Sequence, residues 1–265
     1  MNSRNVSGSA QKITIMIYHI LNGDSLAYSF PDTKIEGDII VVREALVDGD
    51  LSGNDLQDFW HSRTRHMGLP EAEYHDKVVS EFEKIMNAPD GSEFNLWFEY
   101  DLFCQVNMWF VISIINSLSI NKKVYVVYTS YLDRSSKHFW NGFGPAGSSQ
   151  LQVCFADRNL LSDADLQSGQ ALWAVYKDNH FDELNRLAKN QSLAFPYLKE
   201  VVKAHIDRFP RDGTMGRPEK VIEEITKNIS TDFHKVCKEF WKREGIYGFG
   251  DTQLKSLFDK VMHHR

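Results

Sequence analysis

The stretch Phe94–Gln105, which reads FNLWFEYDLFCQ, decides the fold that we predict for this chain. It begins as a strand, because a large apolar side chain occupies every second position of its first five residues. An apolar helix follows, from Leu102 to about Leu118. Glu99 and Asp101 therefore lie between the end of a strand and the start of a helix, which is where open α/β sheets bind ligands.

Three further runs of β-branched and apolar residues predict buried strands, and a fourth run predicts a last or edge strand. The four runs are Ile13–Ile20, Asp38–Arg43, Val124–Tyr128 and Leu151–Phe155. A turn and a short helix join the first strand to the second, which makes a βαβ unit. Two helices, Leu51–Met67 and Glu71–Asn87, come next. The predicted fold class is α/β, with a Rossmann-like, mostly parallel sheet flanked by helices.

Strand patterns stop after residue 161, and only helical patterns follow. The predicted helices are Ser162–Lys177, Phe181–Lys189, Tyr197–Arg208, Pro218–Lys227, Asp232–Arg243 and Asp251–His263. We therefore predict an α/β domain over residues 12–158 and an α-helical C-terminal domain over residues 162–265. The polar residues 1–11 predict a disordered lead.

The composition limits where in the cell the protein is expected and which partners it is expected to bind. The 265 residues contain no apolar run of 18, and the polar N-terminus lacks an apolar signal segment. Three cysteines lie far apart, which argues against a disulfide framework. These features predict a cytoplasmic protein with no membrane partner. The net charge is −6, but residues 195–265 carry 14 basic and 11 acidic side chains, so only this part favours a polyanion.

Three of the predicted strands end in polar residues. These residues are Asn22, Asp24 and Ser25 after the first strand, Arg43 at the end of the second, and Glu99, Asp101 and Gln105 after the third. In a parallel sheet all these ends lie on the same side of the molecule. We predict that the seven residues line one ligand site.

Each group has a chemical role in this site. Glu99 and Asp101 are the predicted catalytic pair, since their proximity raises the pKa of one of them and suits proton transfer. Arg43 can hold a phosphate or carboxylate through two N–H groups. The residues after the first strand lie at a helix start, which can hold a phosphate or ribose. Gln105 lies one turn after Asp101 on the same helix face.

Simpler interpretations remain open for these residues. Asp101 can be only the N-cap of its helix, and Arg43 can form a structural ion pair with Glu99 or Asp101. His19 can join the two carboxylates around a metal ion. The sequence has no metal-binding spacing, however, and we predict no metal. Dinucleotide and P-loop motifs are absent as well, so no cofactor is assigned.

The segment HSRTRHM, residues 61–67, places two histidines and two arginines on a predicted helix. We interpret them as a solvated helix face rather than a phosphate-binding arm. Glu44 is predicted to be structural. Cys104 is not predicted to be a nucleophile, because no basic residue is near it in the sequence.

Several segments carry a resemblance to a known family. They are His19-Ile20 with Asn22–Ser25, Arg43–Leu46 with Gly49, Trp97–Leu102 with Gln105, Phe195–Leu198, His205, Phe209-Pro210 and Gly250–Gln253. Together they resemble a bacterial family of unknown function, an N-terminal DUF1835 domain followed by a DUF3658-type C-terminal region. The resemblance covers nearly the whole chain and implies a polar site, but no established activity. Tyr100 and Cys104 stand where the family often has His and Asp.

Two hypotheses of function follow. The first is a site for a nucleotide or phosphorylated small molecule at the strand ends, in a hydrolase or transferase. The alternative is a transcription-linked regulator that binds nucleic acid through a helix-turn-helix-like C-terminal region. Against the alternative, the net charge of +3 over residues 195–265 is small for a DNA-binding domain.

Overall fold

The computed structural model describes residues 15–133, 135–136, 139–190, 192–210 and 212–263. The prediction for residues 1–11 lies outside these ranges. The strands are β1 (Ile17–Asn22), β2 (Asp38–Val42), β3 (Ser92–Trp97), β4 (Lys122–Val127) and β5 (Asn159–Leu160). The helices of the first part are α1 (Asp24–Ser29), α2 (Leu56–Met67), α3 (Glu71–Tyr74), α4 (Ser80–Met86), α5 (Leu102–Ser117) and α6 (Ser148–Ala156). Those of the second part are α7 (Asp163–Lys177), α8 (Phe181–Leu187), α9 (Leu198–Ile206), α10 (Arg217–Asn228), α11 (Phe233–Glu244) and α12 (Asp251–His263).

The five strands form one sheet in the order β2-β1-β3-β4-β5. Strands β1 to β4 are parallel and β5 is antiparallel to β4. The predicted α/β fold with a mostly parallel sheet is therefore confirmed. The chain leaves β1 for β2 on one side and later returns to place β3 on the other side of β1. Strand order thus reverses between β1 and β3, and such a reversal opens a crevice at the strand ends.

The two faces of the sheet bury different side chains, because successive residues of a strand point to opposite faces. Ile20 and Leu96 join the main hydrophobic core, which also contains most of α5. Leu21 and Trp97 join a smaller core with residues of α1 and α6. Strand β3 is therefore buried on both faces, and Asn95, which alternates with Phe94 and Leu96, is fully buried as well.

Helix α5 packs between the sheet and the helical C-terminal part. Twelve of its sixteen residues are buried. Gly169 of α7 allows the closest approach, since a Cβ atom there would lie 2.6 Å from Ile112. The rings of Phe110 and Trp173 pack with centroids 4.8 Å apart. One hydrophobic core therefore continues from the sheet into the helices after residue 161.

No helix in the described ranges combines the length and the apolar composition that a membrane span requires.

The predicted strand Leu151–Phe155 is wrong, because these residues lie in α6. A short apolar run fits either a strand or a buried helix, and here Leu151 and Cys154 share the buried face at helical spacing. Asn159–Leu160 forms the last strand instead. Helix α2 begins five residues later than predicted, because the side chain of Asp55 accepts a hydrogen bond from the Asp58 amide and caps the helix there.

The prediction of a solvated face for residues 61–67 is wrong for Arg63, which is fully buried. Its Nε and Nη2 donate to Glu44 Oε2 at 3.1 and 2.8 Å. Its Nη1 donates to the backbone oxygen of Asp48 at 2.7 Å. The Tyr74 hydroxyl donates to the other Glu44 oxygen. Glu44, predicted to be structural, thus joins α2 and α3 to the segment after β2.

Arg63→Met tests this buried pair. The substitution leaves the Glu44 carboxylate buried without its cation, so we expect a loss of about 3–5 kcal/mol of unfolding free energy. Urea unfolding followed by circular dichroism measures it. Arg65→Met on the same helix is the control, because Arg65 is exposed and should change the stability by no more than about 0.5 kcal/mol. Equal effects of the two substitutions would contradict the role of the pair.

Candidate functional site

Polar side chains meet where β1 and β3 end. Asn22 is the last residue of β1, and Glu99 follows β3. The Asn22 amide donates to the sulfur of Cys104 at 3.0 Å, and the Cys104 thiol donates to Glu99 Oε2 at 2.7 Å. This connection lies at the reversal of strand order, where the topology places ligands.

Asn107, one turn further along α5, extends the network to the segment after β2. Its amide donates to Asn22 Oδ1 at 2.8 Å and to the Glu44 backbone oxygen at 2.7 Å. Its own oxygen accepts from the Leu46 amide. Sequence reasoning missed both Cys104 and Asn107. In the sequence, these two residues are three positions apart near the start of a mostly apolar helix, which places them on the same helix face.

Asp101 is the N-cap of α5, because its Oδ1 accepts from the Cys104 amide at 3.0 Å. It is 5% exposed. Gly248 of the C-terminal part lies directly over it, so closely that a Cβ atom at Gly248 would overlap the carboxylate oxygen. Gly142 covers Glu99 in the same way. Both carboxyl groups therefore lie under backbone that belongs to later parts of the chain.

Glu99, Asp101 and Cys104 form a compact group, here named the carboxylate cluster, with ligand atoms within 4.8 Å of one another. Burial raises the pKa of Glu99. Burial, and then the charge of Glu99, raise the pKa of Asp101 to about 7. Burial also raises the pKa of the Cys104 thiol, so the thiol stays protonated and is a poor nucleophile. The cluster can therefore hold and release a proton near neutral pH.

The cluster offers atoms of the kinds that bind metal ions, but hydrogen bonds already engage them. Glu99 Oε1 accepts from the Phe143 amide at 2.8 Å, and its Oε2 accepts from Cys104. His19 does not join them. Its Nδ1 accepts from Trp97 at 3.2 Å, and its Nε2 lies 3.1 Å from the Glu36 backbone oxygen. We assign no metal to this cluster.

Gln105 lies beside the cluster but turns to other partners. Its amide donates to the Glu99 backbone oxygen at 2.8 Å and to the Tyr128 hydroxyl at 3.3 Å. The Tyr128 hydroxyl in turn donates to the Ala194 backbone oxygen at 2.6 Å. Gln105 thus links the end of β3 to the helical part of the chain.

Asp24 and Arg43 form a separate pair. Arg43 Nε donates to Asp24 Oδ1 at 3.0 Å, and Arg43 also donates to the Lys77 backbone oxygen. Glu81 lies 3.7 Å from the same guanidinium. Ser25 is exposed on α1. Of the seven predicted residues, four meet at the cluster (Asn22, Glu99, Asp101, Gln105). The ion pair that Arg43 forms is with Asp24 rather than with Glu99 or Asp101.

A cleft of about 920 Å³ lies between the segment after β2, the end of α2 and the helices α10 and α12, and its lining includes Phe249, the residue after Gly248. Its charged and histidine side chains are Asp48, Arg63, His66, Arg208, Glu219 and Lys260. Its other polar side chains are Thr214, Thr252, Gln253 and Ser256, and its aromatic ones are Phe209 and Phe249. The cleft lies beyond the carboxyl end of β2, on the side of the sheet where a site was predicted.

Hydrogen bonds and aromatic contacts hold Arg208 at the wall of the cleft. It donates to the Val47 backbone oxygen at 2.9 Å and to Asp48 Oδ1 at 3.0 Å. Its guanidinium carbon lies 5.3 Å from the ring centroids of both Phe209 and Phe249. These contacts place a planar cation close to two aromatic rings.

Helices α10 and α11 are joined by residues 229–232 and pack together with α12. The basic side chains near the end of α11 already pair with acids. Arg243 Nε donates to Glu239 at 2.8 Å, and Lys242 lies 3.6 Å from the same residue. Arg243 also contacts Glu224. These pairs reduce the positive charge that α11 presents to a partner.

Comparison of the chain with models of protein families, with curated proteins and with solved structures finds no match in any of the three.

Asp101→Asn tests the electrostatics of the cluster. The raised pKa means that the folded chain binds this proton more tightly than the unfolded chain, where the value is near 3.8. Stability is therefore full at low pH and is lost as the pH rises from about 4 to about 7, by about 1.4 kcal/mol per unit of pKa difference. Asparagine keeps the cap and removes the titration. We expect urea unfolding to show a smaller loss of stability over this range in Asp101→Asn.

The control is Asp232→Asn, at the exposed N-cap of α11. Over the same pH range, this variant should lose more stability than Asp101→Asn does. Equal losses in Asp101→Asn and in the unmodified chain would show that the buried carboxyl group does not titrate in this window.

Proposed function

We propose that this protein binds a nucleotide or another phosphorylated small molecule in the cleft beside the carboxylate cluster and acts on it as a hydrolase or transferase. The observation that supports this most directly is the lining of the cleft. Two cations, Arg208 and Lys260, line one cavity of about 920 Å³ together with two phenyl rings and three hydroxyl groups. The acidic side chains of the lining, Asp48 and Glu219, form ion pairs with these two cations. That volume is of the size that small-molecule sites have.

The chemistry of the lining favours an anion with an attached ring. Arginine matches the geometry of phosphate oxygens, and Lys260 of α12, whose ammonium donates to Glu219 at 2.5 Å, supplies a second cation. Thr252 and Ser256 offer hydroxyl groups from the same helix. Phe209 and Phe249 can contact the flat face of a base or the apolar face of a sugar. Phosphate and ring together describe a nucleotide or a sugar phosphate.

The proposed reaction uses the carboxylate cluster. Asp101 titrates near neutral pH, and Glu99 lies within 4.8 Å of it. A carboxyl group in that range can give a proton to a leaving group, and its neighbour can take one from an attacking water or hydroxyl. Hydrolysis and group transfer both need these two steps.

The binding proposal is tested with Lys260→Ala. Isothermal titration over a panel of nucleoside phosphates and sugar phosphates identifies a binder in the unmodified chain. Removing one cation from a phosphate contact should then weaken binding about tenfold and reduce its salt dependence.

Lys255→Ala is the matched control. Lys255 lies on the same helix in an exposed ion pair with Asp259, away from the cleft, and exposed pairs contribute little to stability. Its affinity should equal that of the unmodified chain. Equal weakening by the two substitutions, or no binding across the panel, would refute the proposal.

The nucleic-acid alternative is supported by one feature, the short connection of residues 229–232 between α10 and α11, which suits a helix-turn-helix. A gel shift at low salt distinguishes it. A DNA or RNA shift that is lost when Lys235 and Lys238 of α11 are changed to Glu would favour this alternative. The cleft proposal predicts no such shift.

Two further expectations, the family resemblance and the cytoplasmic location, remain proposals. The segments that resemble the DUF1835 and DUF3658 regions include residues of both the cluster (Asn22, Glu99, Asp101) and the cleft (Phe209, Thr252), which supports the proposal that the two belong together. The three cysteines are free and buried, which supports a reducing, cytoplasmic location.

A further inference from the structure

One short turn separates the cleft from the carboxylate cluster. Residues Gly245–Gly250 read GIYGFG and connect α11 to α12. The backbone of Gly248 lies on the carboxyl group of Asp101. The next residue, Phe249, lines the cleft. A displacement of this turn would therefore remove the cover of Asp101 and open a passage from the cleft to the cluster.

We propose that the turn Gly245–Gly250 is a movable wall, and that the cleft and the carboxylate cluster are two parts of one binding site that join when the turn is displaced. The proposal rests on the proposed function. It adds the route by which a ligand held by Arg208 and Lys260 reaches Glu99 and Asp101.

The construction of the turn allows displacement. Gly245–Tyr247 is a single 3-10 turn in which Gly245 packs against Trp140, and the glycines that follow it leave the chain freer, with Gly248 at a positive φ of 62°. The indole of Trp241 donates to the Phe249 backbone oxygen at 2.7 Å, from a side chain that is itself partly exposed. The Tyr247 hydroxyl is buried without a hydrogen-bond partner among the described residues. An unpaired buried hydroxyl destabilises the closed form relative to one in which water reaches it.

Aromatic contacts keep the closed form dominant. The ring of Phe249 lies 5.0 Å from that of Tyr247 and is stacked 6.3 Å from that of Phe240. The Arg208 guanidinium also contacts Phe249. A phosphorylated ligand that draws Arg208 away from this ring binds the displaced form better than the closed one, and so shifts the population toward it.

Cys104 reports the opening, because it lies in the cluster and is 4% exposed. The experiment measures the rate at which iodoacetamide modifies each cysteine of the ligand-free chain at pH 8, by peptide mass spectrometry. Trp241→Phe removes the hydrogen bond to the turn and should raise the Cys104 rate roughly threefold to tenfold. Tyr247→Phe removes the unpaired hydroxyl and should lower that rate severalfold.

The other two cysteines are internal controls. Cys154 on α6 and Cys237 on α11 are as buried as Cys104, so they report global unfolding and damage to α11. The substitutions that change the modification rate of Cys104 should leave the modification rates of these two cysteines unchanged. If the modification rates of all three cysteines change by the same factor in every variant, the cluster opens only by unfolding. That result would refute the movable wall.

The route through the cleft is tested with a charged reagent. Iodoacetate is an anion, so Lys260→Ala should slow its reaction with Cys104 about twofold and leave the iodoacetamide rate unchanged. Lys255→Ala should change neither rate. If Lys260→Ala has no effect on iodoacetate, the passage does not run through the cleft and the joined site is refuted. No ligand is present in these measurements, so they fail or succeed independently of the binding proposal.

Discussion

The burial of helix α5 is the constraint on which most of this structure depends. The helix has the sheet on one side and α7 on the other, so its first turn begins inside the protein. The free amide groups of that turn need a buried acceptor, and Asp101 provides it. A carboxyl group in such a position favours its protonated form. The raised pKa of Asp101 thus follows from where the helix starts.

The same first turn connects the ends of neighbouring strands. Cys104 reaches Asn22 at the end of β1 and Glu99 after β3, while Asn107 reaches the segment after β2. These contacts connect the carboxyl ends of the strands at the point where strand order reverses. The fold therefore gains stability from the groups that the proposed chemistry would use, and substitutions there need stability and activity to be measured separately.

The C-terminal part of the chain covers the carboxyl ends of the strands. Gly248 covers Asp101, while Arg208, Phe249 and Lys260 supply much of the cleft. None of these residues was predicted to line a site, because their position there depends on how the helical part docks on the sheet. The ion pair of Arg43 with Asp24 has the same origin. Both residues were predicted at the edge, but the sequence could not choose between a ligand, Glu99, Asp101 and Asp24 as the partner of the arginine.

The sequence by itself determined the α/β class, the strand pattern of β3, the helices after residue 161 and the position of Glu99 and Asp101 at a strand end. Periodicity and capping are local properties, so neighbouring residues are enough to specify them. Only the tertiary structure decided that residues 151–155 are helical, that Arg63 is buried and that a cleft lies one turn of chain away from the carboxyl group of Asp101. These features depend on contacts between residues far apart in the chain, and the hydrophobic core that brings them together is a property of the whole fold.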